Sequence, residues 1–270
     1  MRIIEWEDFI AQRPGPADKG LAMSIGVFDG VHRGHQALIE RICSGPYLPT
    51  VITFKQNPLR ILKPRRYVGD IFSLAQKLRA FELLGVRQVI LIDFSENFSI
   101  IRGGDFIDLL VKVCPLRFLA LGRDFRCGRR LDTGVREIRE QAGALGIETW
   151  AVAPVMEGER RISSSRIRQA ISDGALEEAE KLLGRKVALD LSELPIDLSS
   201  RSESGCCYDA AAAFRIIPCG GRYKALVYGA DSVDGIETLI SISNGKVLVP
   251  DMPGGNGFKA EMIEFIQSTQ

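Results

Sequence analysis

The chain has 270 residues, 35 basic and 34 acidic side chains, a net charge of +1, and 46% hydrophobic residues. This is an ordinary globular balance with room for one large or two medium domains. It excludes the strongly basic footprint of a nucleic-acid binder, and no apolar run approaches the length of a membrane span.

The opening residues, "MRIIEWEDFIAQRPGPADKG", carry acidic groups where an export signal needs an apolar run, so a cytoplasmic setting is expected. The cysteines at 43, 114, 127, 206, 207 and 219 are irregularly spaced and form no CxxC. They are expected to be reduced thiols, not disulfides or zinc ligands. "LAMSIGVF" (21–28) predicts a buried strand that runs into glycine-rich loop chemistry. A helix follows from His35, then a strand "YLPTVITF", a helix "SLAQKLRAFELLGV" stopped by Gly85, and a strand "RQVILIDF". "GDFIDLLVKVC" predicts a helix, "LRFLALG" a strand, "TGVREIREQAGALG" a helix and "IETWAVAPV" a fifth strand. Two helices, "SSSRIRQAISDG" and "ALEEAEKLLG", close this part. Apolar strands alternating with helices imply a Rossmann-like, doubly wound parallel sheet.

The character changes after Arg185. Residues 186–205 are rich in serine and acidic groups and read as a linker. From Cys206 the pattern is β-like, and Asn244-Gly245 between "LISIS" and "KVLVP" marks a hairpin. The expected division is therefore 1–185, a linker at 186–205, and a small antiparallel β domain at 206–270.

Both histidines of the chain, His32 and His35, lie in "GVFDGVHRGH" (26–35), between the first strand and its helix. A helix start offers unpaired N–H groups and positive partial charge, which suit phosphate. Gly26, Gly30 and Gly34 allow close backbone approach, and two imidazoles can aim at the same oxygens. Imidazole donates a hydrogen bond while neutral and can take charge as it builds up in a transition state. The turn is neither a GxxxxGK loop nor a GxGxxG fingerprint. A second constellation, "ISSSRIRQAI" (162–171), sets serines at a helix start with Arg166 and Arg168, a combination that can hold polyphosphate.

"GVFDGVHRGHQ" together with "ISSSRIR" resembles the prokaryotic bifunctional FAD synthetases (riboflavin kinase/FMN adenylyltransferases). "GRDFRCG" (122–128) resembles the family's GxDFxFG loop, and "LLGR" (182–185) the end of its first domain. The resemblance covers about residues 15 to 185 well and the remainder poorly. It implies an FMN adenylyltransferase domain at 1–185 that joins AMP from ATP to FMN, giving FAD and pyrophosphate. His32, His35 and Arg168 would be catalytic. Gly26, Phe28, Asp29, Gly34, Ser164, Ser165 and Arg168 would bind ATP, and Asn57, Pro58, Asp124 and Phe125 the flavin. Mg²⁺ would accompany ATP, with no protein ligand named for it. Nucleic acid and membrane are not expected as partners.

The chain departs from the family pattern in three places. TFxPHP stands as "TFKQNP" (53–58), Cys127 replaces the second Phe of GxDFxFG, and Ser165 stands where Thr is usual. The second domain resembles a reduced riboflavin-kinase-like barrel, with Glu237 at the family's catalytic glutamate. The segment after "LGR" has no PTxN motif, so kinase activity is expected to be lost and Glu237 to be vestigial. Two rival readings remain: a nucleotidyltransferase for another phosphorylated acceptor, and a non-catalytic flavin or nucleotide carrier or regulator.

Overall fold

A computed structural model describes residues 1–12, 20–197, 205–230, 234–252 and 259–269. The chain divides into two compact units: Met1–Tyr67 with Lys77–Arg161, and Val68–Gln76 with Ile162–Gln270. The first runs β1 (Arg2–Glu5), α1 (Trp6–Gln12), β2 (Leu21–Ile25), α2 (Arg33–Cys43), β3 (Leu48–Phe54) and a one-turn α3 (Leu59–Leu62). It continues with α4 (Leu74–Leu83), which begins within the inserted segment, β4 (Gln88–Ile92), α5 (Glu96–Ser99), α6 (Gly103–Val113) and β5 (Leu116–Gly122). A small hairpin of β6 (Arg126–Cys127) and β7 (Thr133–Gly134) leads to α7 (Val135–Gly143) and β8 (Glu148–Val152). A second small hairpin, β9 (Met156–Glu157) and β10 (Arg160–Arg161), ends the unit.

The large sheet has strand order β1-β4-β3-β2-β5-β8, all parallel. From β2 the chain winds one way through β3 and β4 and the other way through β5 and β8. Right-handed crossovers then place helices on both faces, with the switch point between β2 and β5. Every residue of β2 and β4 is buried, as expected of strands covered on both faces. Helix α2 packs Leu38, Ile39 and Ile42 against β2, β3 and β5. The edge strand β1 buries only Ile4, too little alternation for the sequence to announce it.

The second unit holds α8 (Ser164–Ser172) and α9 (Leu176–Leu183), with Ala179, Leu182 and Leu183 fully buried. The helix-strand alternation had assigned both helices to the first domain. An antiparallel sheet follows: β11 (Ala188–Asp190), β12 (Gly205–Asp209), β13 (Gly221–Gly229), β14 (Ile236–Ser243), β15 (Lys246–Pro250) and β16 (Ala260–Thr269). Its order is β11-β16-β13-β14-β15-β12. Part of the stretch read as a linker is thus a strand. β11 pairs with β16, and the same segment reaches the opposite edge, where Asp197 N–H donates to Cys207 O at 2.8 Å and Asp209 N–H to Pro195 O at 2.8 Å. One run of chain thus forms one edge strand of the sheet and covers the other, β12. Residues 198–204 of that stretch lie outside the described residues. The alanine run after β12 forms turns, not strand, with Phe214 at φ 53. The Asn244-Gly245 turn has φ 49 and 75, the left-handed pair a tight hairpin needs.

No helix among the described residues is long and apolar enough to cross a membrane. All six cysteines are free. Burial pushes the Cys114 thiol up to about 12, and burial followed by the nearby Asp132 pushes Cys127 to about 11. Cys219 is exposed. At pH 8 a disulfide reagent is therefore expected to modify Cys219 first, and Cys114 and Cys127 only in denaturant. Peptide mapping of the labelled thiols checks this; Cys114 reacting in the native protein as fast as Cys219 would contradict it.

Candidate active site

The turn after β2 is built from unusual backbone. Gly26 N–H donates to Ile52 O at 3.1 Å and holds the turn to β3. Phe28 (φ 54), Gly30 (φ 74) and Val31 (φ 38) then take left-handed conformations. Glycine adopts this freely, whereas a β-branched valine there carries a cost of about 1–3 kcal/mol. Burial holds the geometry. Val31 is fully enclosed, and the Phe28 ring meets Phe81 edge-on at 5.5 Å and His35 at 5.1 Å. The adjoining Asp29 is also buried.

The reversal places His32 as the N-cap of α2. Its Nδ1 accepts the His35 backbone N–H at 3.3 Å. An accepting Nδ1 puts the ring proton on Nε2, so the buried imidazole presents a donor on its far side. His35 stacks on His32 with centroids 3.6 Å apart and planes 15° from parallel. Gly34 lies between them in the first turn of α2, where N–H groups lack helical partners. Gln36 Nε2 donates to Val31 O at 3.0 Å and pins the turn from the helix side.

Two neighbouring loops lie at the same carboxyl edge. After β3, Asn57 is buried and its Oδ1 accepts the Leu59 N–H at 3.1 Å, with Pro58 buried beside it at the start of α3. After β5, Phe125 leans on the core, while Asp124 points outward to Arg161 Nη1 at 2.7 Å. Arg33, the first residue of α2, pairs with Glu157 on the β9–β10 hairpin that carries Arg161. These ion pairs are solvent-accessible, so they orient the hairpin more than they stabilise the unit.

Gly26, Phe28, Asp29, His32, Gly34, His35, Asn57, Pro58, Asp124 and Phe125 thus occupy the loops, and the first turn of α2, that follow β2, β3 and β5, adjacent strands at the switch point. Ser164, Ser165, Arg168 and Glu237 belong to the second unit. There Ser163 is the N-cap of α8, its Oγ accepting the Arg166 N–H at 3.3 Å, and Ser164 and Ser165 are the first two helical residues. Arg166 Nε is held by Glu178 of α9 at 2.9 Å, so it serves helix pairing. Arg168 Nε donates to Gly69 O at 2.8 Å. Glu237 is about half exposed and pairs with Lys224 on the neighbouring strand at 2.8 Å.

The family model for FAD synthetase matches residues 15–166, more than half of the chain. The chain belongs to the FAD synthetase family. It is 34% identical over 194 residues to the bifunctional riboflavin kinase/FMN adenylyltransferase of Escherichia coli (strain K12), covering 70% of this chain and 61% of that protein. The chain thus matches less than two thirds of that relative's length. A putative bifunctional riboflavin kinase/FMN adenylyltransferase of Geobacillus thermodenitrificans is 33% identical over 170 residues, which is 61% of this chain and 90% of that protein. A solved structure of a macrolide-efflux protein from Streptococcus pneumoniae superposes with a TM-score of 0.78 at 22% identity, covering 100% of this chain and 91% of that one, a likeness of fold alone.

This FAD synthetase family member also has a residue in the site that the sequence reading overlooked. Lys77 of α4 is buried, and its Nζ lies 2.7 Å from Phe54 O, 3.3 Å from Thr53 Oγ1 and 3.5 Å from Val27 O. One ammonium therefore ties the histidine turn to the end of β3. A lysine within a helical pattern reads as a solvated side chain, and only its place four residues before Phe81 hints otherwise. Removing a buried donor to several oxygens costs about 1–3 kcal/mol. Lys77→Met is expected to lower the urea midpoint accordingly, and Lys77→Arg to lower it less. An unchanged midpoint for Lys77→Met would show that the clamp contributes nothing.

Proposed function

We propose that this chain is an FMN adenylyltransferase. A phosphate oxygen of FMN attacks the α-phosphorus of ATP, the bond to the β-phosphate bridging oxygen breaks, and FAD and pyrophosphate leave. The observation that carries the reading is the stacked His32–His35 pair at the start of α2, on the switch point of a doubly wound sheet. The Nε2–H of His32 and the N–H groups of the helix start are donors of the kind that suit an α-phosphate gaining negative charge in the transition state. Ser164, Ser165 and Arg168 are proposed to bind the β- and γ-phosphates, and Asn57, Pro58, Asp124 and Phe125 the flavin. Among the described residues no group of three or more His, Cys, Asp or Glu could cage a metal. A Mg²⁺ carried by the ATP phosphates is proposed, which would partly neutralise them. Six free thiols agree with a cytoplasmic setting.

Riboflavin kinase activity is proposed to be absent. No PTxN motif follows Arg185, and Glu237 is paired with Lys224 on an exposed strand position. Phosphoryl transfer depends on an aligned and neutralised donor, which a lone glutamate does not provide.

The test is incubation with ATP, Mg²⁺ and either FMN or riboflavin, followed by chromatography of the flavins. FAD is expected from FMN. His32→Asn keeps a good helix cap while removing the imidazole, so its stability should hold while turnover falls roughly 10²–10³-fold, as for loss of a transition-state donor. His35→Ala should fall similarly. Near-wild-type FAD formation by both variants would sink the assignment. In the riboflavin tube no FMN is expected; FMN rising with enzyme and ATP would restore the kinase.

A further inference from the structure

We propose that the antiparallel sheet of the second unit serves nucleotide binding, by fixing Arg168 through the segment Val68–Gln76. This rests on the reading of Arg168 as a polyphosphate ligand.

The contact chain is continuous within the second unit. Arg168 Nε donates to Gly69 O at 2.8 Å. That bond uses Nε and so sets the plane of the guanidinium, whose two Nη atoms are the pair suited to grip phosphate oxygens. Gly69 is itself held from the other side. Its φ is +119, and a Cβ there would stand 2.9 Å from Phe214 O. Asp70 N–H donates to Phe214 O at 2.8 Å and Ile216 N–H to Asp70 O at 3.0 Å, a two-bond splice of the segment onto the turn after β12. The Asp70 carboxylate lies 3.9 Å from Arg215 Nη1, with both side chains largely buried, and Arg215 Nη2 pairs with Glu193 at 2.9 Å.

Three more contacts grip the same segment. Ser73 Oγ donates to Asp190 Oδ2 at 2.6 Å in a buried pair, and Gln76 Nε2 to Ala188 O at 3.1 Å. The Arg185 guanidinium lies over the Phe72 ring at 4.9 Å. Strand β11, Arg185 and the Phe214 turn therefore all hold a nine-residue segment that has no helix or strand of its own before Leu74. The acceptor that orients Arg168 sits on that segment. A sheet without kinase chemistry would in this way still be required for ATP to bind.

The experiment is calorimetric titration of the full-length protein with ATP and, separately, FMN, alongside steady-state kinetics. Arg168→Ala should weaken ATP binding about tenfold, the size of one lost charge-assisted contact. Gly69→Ala and, independently of glycine strain, Arg215→Ala should each weaken ATP binding about three- to tenfold, with kcat at saturating ATP and FMN affinity within about twofold of wild type. Combined with Arg168→Ala, neither should weaken ATP binding further, because residues acting in series are non-additive. Arg215→Lys should recover part of the affinity. Unchanged ATP affinity in Arg215→Ala, or an equal loss with and without Arg168, would overturn the proposal, as would an Arg168→Ala protein that binds ATP normally. The wild-type FAD assay reports separately on the catalytic reading: a protein that makes no FAD but shows the non-additive ATP pattern would lose that function and keep the positioning role.

Discussion

The left-handed backbone of Phe28, Gly30 and Val31 is the constraint on which the rest of the site depends. The chain leaves β2 at Ile25 and enters α2 at Arg33, and the left-handed residues set the path of the connection between them. The strain at Val31 is tolerated because the side chain is fully enclosed and Phe28 is wedged against Phe81. Relaxing that turn would move the cap, the stacked imidazoles and the first N–H groups of α2 together.

His32 shows how one side chain serves two levels of organisation. Its Nδ1 closes the helix start, and that same bond fixes which nitrogen carries the proton. Lys77 plays a comparable part, with a single ammonium shared among oxygens of the histidine turn and the end of β3. Fold stability and site geometry are consequently coupled at both residues. The solvent-exposed pairs Arg33–Glu157 and Arg161–Asp124 add direction with little energy.

The sheet strands, most helices and the histidine turn were legible because they depend on local patterns. Strands such as "QVILI" are apolar throughout since both faces are covered, and amphipathic helices follow them. The hairpin at Asn244-Gly245 was legible for the same kind of reason: its backbone admits few residue types. Features set by distant partners were not legible. β1 is an edge strand with one buried residue, and β11 lies in a serine-rich stretch whose partner is β16, more than 70 residues later. The serine motif was read correctly as a helix start, but Ser163, not its neighbours, is the cap, and Arg166 is occupied by Glu178. Lys77 carries only one local sign of burial, its place four residues before Phe81.

The insertion of Val68–Gln76 into the second unit bears on how the protein is made. During synthesis the segment leaves the ribosome well over a hundred residues before Arg215 exists to receive it. Ile71 and Phe72, buried in the finished protein, must wait in the meantime without their final surroundings. The second unit therefore cannot close until the last-made part of the chain exists, although one of its segments is made early. A break in the chain placed at the visible change of character near Arg185 would separate the segment from the turn that receives it. The boundary read along the chain and the boundary in space are different, and only the second marks what must be made together.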